Sequence, residues 1–143
     1  MVITRTVTVD SPVERVFAYL SDFTTTTEWD PATVRTTRED GDGQAGTRYR
    51  NVSRFMGRET ELTYVVQERT PTTLLRLRGE NATVVATDTM SFASTAGGGT
   101  TVTYEASFAL KGPARLAAPL LRPAFKRLGD RAAVGLREAL ERL

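Results

Sequence analysis

The order of patterns along this 143-residue chain predicts an α+β fold, with one antiparallel sheet covered by a long C-terminal helix. Three observations carry the prediction. A Val-, Ile- and Thr-rich segment at residues 2–9 runs straight into a short capped helix. Between residues 47 and 110, apolar and polar side chains alternate with the period of strands. After Pro123 the apolar residues fall into one helical stripe. An apolar sheet face and an apolar helix stripe cover each other as either a filled core or a lined pocket.

Each element has a local reason. Ser11 suits an N-cap, Pro12 the first helical position and Glu14 the reciprocal partner of the cap. Val13, Val16, Phe17 and Leu20 then share one helical face, so a helix is expected to about Leu20. Thr24 to Thr27 is a poor helix interior, because four β-branched hydroxyl residues lose side-chain freedom there. A short helical turn or loop is expected before Pro31, which disfavours helix at Asp30. Asp40-Gly41-Asp42-Gly43 marks a turn between strands.

Two strands, 47–56 and 58–69, meet around Met56-Gly57. A short strand carries Leu75 and Leu77 between Arg76 and Arg78, and another spans 82–94. Gly97-Gly98-Gly99 forms a hairpin ahead of the clearest strand, where Val102, Tyr104, Ala106, Phe108 and Leu110 share a face. A slip of one residue would turn that set into water, so its register is well specified. Pro119 and Pro123 predict a break or kink between about 113 and 123. Beyond it, Phe125, Leu128, Ala132, Leu136, Ala139, Leu140 and Leu143 make the stripe, while Val134 falls on the polar side. No linker or repeat interrupts the pattern, and residues 1–143 read as one domain.

Composition narrows the chemistry. The chain has no cysteine and no histidine. Disulfides, thiolate nucleophiles, imidazole acid–base catalysis and Cys- or His-ligated zinc are therefore outside its reach. Catalysis, if any, rests on carboxylates, tyrosines, Lys, Arg, Ser, Thr or water. No apolar run nears the about 18 residues that span a bilayer. The first residues lack the basic-then-apolar pattern of a secretory signal, so a cytoplasmic protein is expected. No phosphate loop is present, and no metal, cofactor or nucleic acid is expected. Charge is uneven: residues 1–112 carry 12 basic and 14 acidic side chains, and residues 113–143 carry 7 and 3. The closing helix is thus basic, either as an ordinary solvated face or as a surface for an anionic partner.

Several pieces, in order, carry a family resemblance. They are Val9-Asp10-Ser11-Pro12 leading into Val13-Glu14-Arg15-Val16-Phe17, Leu20-Ser21-Asp22, Trp29-Asp30-Pro31, Gly46-Thr47-Arg48-Tyr49, Phe55-Met56-Gly57-Arg58 and Gly98-Gly99-Thr100-Thr101-Val102-Thr103-Tyr104, with the closing helix. Together they resemble the START-like helix-grip superfamily (SRPBCC), in its bacterial polyketide cyclase/dehydrase branch. The resemblance covers essentially the whole chain. It implies a curved antiparallel sheet of about seven strands wrapped around the long C-terminal helix, with two short helices between the first and second strands. It also implies a cavity between sheet and helix that holds lipids, polyketides, sterols or other apolar molecules.

Alternation then names the candidate lining. Tyr49, Asn51, Ser53 and Phe55 come from one strand, and Leu62 and Tyr64 from the next. Leu77, Asp88, Met90, Tyr104 and Phe108 come from the later strands, and Leu121, Phe125 and Leu128 from the helix. Trp29 flanks the site or plugs the core. Each apolar member equally suits plain core packing. Asp88 is the sharpest candidate, since it interrupts the apolar face of Val84, Ala86, Met90 and Phe92. It reads as a ligand-orienting or proton-transferring group, or else as a rim residue or an ion-pair partner of Arg76 or Arg78.

The expected function is binding or transport of a small hydrophobic or aromatic ligand by a monomer or homodimer. Two alternatives stand beside it. One is a polyketide cyclase or dehydratase working through Asp88 and tyrosines. The other is an interaction module using the basic C-terminal helix.

Overall fold

The computed structural model describes residues 1–143. Strand β1 (Val2–Val9) leads into helix α1 (Val13–Ser21), a 3-10 turn (Phe23–Thr25) and the single-turn helix α2 (Thr26–Trp29). Strands β2 (Thr33–Asp40), β3 (Arg48–Phe55), β4 (Arg58–Thr70), β5 (Leu74–Glu80), β6 (Val84–Ser94) and β7 (Thr100–Leu110) follow. A 3-10 segment (Gly112–Ala117) connects to helix α3 (Ala118–Glu141). All seven strands form one antiparallel sheet in the order β1-β7-β6-β5-β4-β3-β2. Register shifts in β2 and β4 bend it locally. Helix α3 lies along β1 and the end of α2, completing the helix-grip fold.

The alternation read from the sequence sets the faces. Val102 and Ala106 of β7 are buried, as are Ala86, Asp88, Met90 and Phe92 of β6. Of the helical stripe, Phe125, Ala132, Leu136, Ala139 and Leu140 are buried, while Val134 is exposed on the polar side. At the Met56-Gly57 turn both residues have positive φ, 53° and 80°. Such a two-residue turn matches the twist of the flanking strands, and glycine meets its demand without cost.

Three local readings change and one holds. Strand β2, which received no assignment of its own, has a mostly exposed side-chain pattern with only Thr36 buried, so apolar alternation could not reveal it. Ser11 does not cap α1. Pro12 holds that position in an extended conformation without a side-chain bond, and the Ser11 hydroxyl instead donates to the Leu140 carbonyl at 3.4 Å. The threonine run forms the short helical turn expected before Pro31. Asp22 accepts from the Thr24 amide, and the hydroxyls of Thr25 and Thr26 bond carbonyls three residues back at 2.8 Å each. Finally, α3 runs unbroken through Pro123, and the interruption is the 3-10 segment ahead of it. Pro119 sits in the first turn, where no intrahelical amide bond is lost.

Candidate functional site

Sheet and α3 do not close completely upon each other. Between them lies a cavity of about 290 Å³, most of whose 28 lining residues are apolar. One end is filled. There Val16, Phe17 and Leu20 of α1 join the core containing Leu75, Leu77, Met90 and Phe92, and the Phe17 and Phe92 rings meet edge-on at 5.0 Å. The other end opens where β3 meets β4, β5 meets β6, and β7 leaves the sheet. Of the lining residues there, Arg54 and Thr83 are exposed, and Phe55, Thr60, Asn81, Val84 and Leu110 are half-buried. Phe125 of α3 stacks on Phe55 at 4.9 Å and on Phe108 at 4.5 Å, forming an aromatic wall beside this opening.

Asp88 faces the cavity. It sits on β6 opposite Leu77 of β5 and Ala106 of β7, and is only 6 % exposed. Arg76 and Arg78 do not reach it. They alternate onto the opposite face and pair with Glu68 and Glu80. Burial without a cation pushes the Asp88 carboxyl up to about 7, and the charge of Asp30 acts in the same direction. The Tyr104 hydroxyl, a diagonal neighbour on β7, donates to Oδ2 at 3.3 Å and pulls it partly back. Burial and the carboxylates of Asp88 and Asp30 hold the Tyr104 phenol far above its ordinary value, so it stays a donor. Tyr64 is held neutral for the same reasons.

A second carboxylate, Asp30, reaches the cavity from the end of α2. Its carboxylate accepts from the Ala32 amide at 3.0 Å and the Thr33 hydroxyl at 3.1 Å, which opposes the upward push of burial. Beside it, Trp29 sets its ring edge-on to Tyr104 with centroids 5.7 Å apart. The indole N–H is buried without a hydrogen-bond partner.

Of the residues expected from the sequence, Trp29, Asn51, Ser53, Phe55, Leu62, Tyr64, Asp88, Tyr104, Phe108, Leu121, Phe125 and Leu128 line the cavity. Three do not. Leu77 and Met90 share the correct face but are covered by core packing at the filled end. Tyr49 is buried beside Phe23, with ring centroids 5.6 Å apart, and turns toward a shallow depression with Asp22 and Arg69. Asn51 lines the space, but its amide is already engaged. It accepts from Ser53 at 2.7 Å and donates to Thr36 at 2.8 Å, and Thr36 bonds Thr26 at 2.6 Å.

The sequence missed Asp30 and Ala106, which also line the cavity. An aspartate before a proline was a usable signal for a turn, but nothing local said that the turn faces inward. Gly79 was missed too. A Cβ there would stand 2.7 Å from the Tyr64 ring, so glycine lets that ring lie flat across β5.

A family model described as polyketide cyclase / dehydrase and lipid transport matches residues 1–141. The chain belongs to this family. Comparison with curated proteins gave no match. Among solved structures, the Zhui aromatase/cyclase from Streptomyces sp. R1128 is similar at TM-score 0.85 and 15% identity, covering 99% of this chain and 94% of that one. TTHA0849 from Thermus thermophilus is similar at TM-score 0.81 and 18% identity, covering 96% and 95%. A START superfamily protein from Mycobacterium smegmatis is similar at TM-score 0.75 and 16% identity, covering 98% and 94%. At these identities the likeness is one of fold. The family name joins ring-closing and dehydrating enzymes to lipid transport, and the site must choose between them. No helix of this family member is long and apolar enough to cross a membrane.

Proposed function

We propose that this protein binds a compact apolar molecule in the cavity between sheet and α3, with the ligand's polar group turned to Asp88 and Tyr104. The observation that carries the reading is a buried carboxylate, unpaired with any cation, on the wall of a mostly apolar cavity. Folding tolerates such a group at a cost, and an occupant offering a hydrogen bond would offset it.

Volume decides the size of ligand. A dry apolar cavity of about 150 Å³ admits one benzene. The space here, about 290 Å³, suits a two-ring molecule and is too small for a sterol. The test is a melting-temperature series with naphthol, naphthalene and cholesterol. Saturation to a hundredfold excess over Kd stabilises by about 2.7 kcal/mol, a rise of roughly 8 °C for a domain of this size. Naphthol is expected to raise the midpoint most, naphthalene less, and cholesterol not at all. No shift with either two-ring compound removes the proposal.

One observation favours a second reading. An aspartic acid that titrates near neutrality beside a tyrosine hydroxyl suits proton transfer at a reacting carbonyl, as cyclisation or dehydration requires. Under that reading, Asp88→Asn abolishes turnover of a small polyketide while ligand-induced stabilisation survives.

A further inference from the structure

The opening of the cavity has a surface of its own. The 3-10 segment and first turns of α3 present Leu116 and Leu120 at 86 % and 83 % exposure, and the β3–β4 turn presents Met56 at 68 %. These belong to one rim. Phe55, next to Met56, stacks on Phe125, and Leu121, next to Leu120, lines the same opening. Met56 also occupies a positive-φ position, where a long side chain is an unfavourable choice for the turn alone. The charge on this rim is one-sided. Residues 112–129 contain Arg115, Arg122, Lys126 and Arg127 and no acidic residue. The acidic residues close by are spoken for: Glu59 pairs with Arg54, and Glu80 with Arg78 and Lys111. Arg58, Arg115, Arg122 and Lys126 have no ion-pair partner.

We propose that this rim docks on an anionic lipid bilayer, with Leu116, Leu120 and Met56 entering the interface while Arg115, Arg122 and Lys126 meet the headgroups. Exposed leucines among unpaired cations fit a surface that is anionic outside and apolar beneath. An acidic protein surface would match the charges but leave the leucines in a polar contact. Docking would set the mouth of the cavity against the phase in which an apolar ligand dissolves.

The test is co-sedimentation of the full chain with vesicles of phosphatidylcholine alone and of phosphatidylcholine mixed with phosphatidylglycerol. Binding is expected only to the anionic vesicles and is expected to fall as salt is raised. The pair Arg122→Gln and Lys126→Gln should weaken it about 25-fold, about fivefold for each charge. The pair Leu116→Ser and Leu120→Ser should weaken it by about tenfold or more with an unchanged melting temperature, since both side chains stand in solvent. Equal binding to both vesicle types, or unchanged binding by either double variant, overturns the proposal. Binding to neither type also overturns it, and is the result an acidic protein partner on this rim would produce. Ligand-induced stabilisation is read without vesicles, so the pocket and the rim stand or fall separately.

Discussion

Asp88 concentrates the conflict between folding and function in one side chain. Its carboxyl is raised to about 7 in the folded protein, against about 3.9 in an unfolded chain. The direction of the pH effect follows. Below about pH 4 both states hold the proton, and the contribution of the neutral, buried acid is fully present. From there to about 7 the unfolded state ionises while the folded state does not, so stability falls as pH rises, with a slope of up to about 1.4 kcal/mol per pH unit. Above 7 the loss is complete and amounts to roughly 4 kcal/mol as an upper bound. Asp88→Asn removes the titrating group and keeps its shape. Urea unfolding of this variant across pH 4–8 should show a flatter profile than the parent and greater stability at pH 8. Asp30, which burial also raises, keeps a slope of the same sign, while Asp40 and Glu80, lowered by their Arg48, Lys111 and Arg78 partners, add one of the opposite sign at the acidic end. A variant with the parent's full slope would show that Asp88 is not the group being titrated. This residue was legible in the sequence because a charge broke an apolar alternation. Asp30 was not, because its burial comes from the path of α2 across α3 and not from any local pattern.

At the scale of elements, α2 and α3 are joined by contact too close for a side chain. A Cβ on Gly135 would lie 2.0 Å from the Trp29 carbonyl oxygen, a backbone atom that cannot swing aside. Alanine would ordinarily favour a helix interior by about 1 kcal/mol over glycine. Here the clash reverses the sign, and Gly135→Ala should destabilise by about 1–3 kcal/mol, in the range of overpacked cores. Trp29 is the only tryptophan, so its emission reports the displacement directly. A stabilised variant with unchanged emission would mean that α2 does not rest on α3 as described. The same contact marks how far sequence reading goes. The stripe on α3 was visible because burial repeats every turn. Strand β2 was invisible because it buries only Thr36, and the cap at Ser11 was misread because the C-terminal helix offers its hydroxyl another partner. At Ser11 a residue distant in sequence decided the outcome. Leu77 and Met90 fail likewise: alternation placed their faces, but α1 decided which stretch of the face is filled.

For the whole molecule, the open cavity is a stability reserve held back from packing. Its lining is largely apolar, and empty apolar space forfeits the contacts that a filled core would make. Ala106 shows where that space could be closed. It faces the cavity on β7 between Asp88 of β6 and Ile3 of β1, and its short side chain leaves room in front of Asp88. Ala106→Leu should fill part of that room and stabilise the protein by about 0.5–2 kcal/mol, the usual gain of a cavity-filling change. Ligand binding should move the opposite way, because the same volume is what the ligand needs. In paired melting scans, the variant is expected to start higher than the parent and to lose the rise produced by naphthol. A variant that melts lower would mean that the space is already packed in solution. One that melts higher and still responds fully to naphthol would place the ligand elsewhere on the molecule.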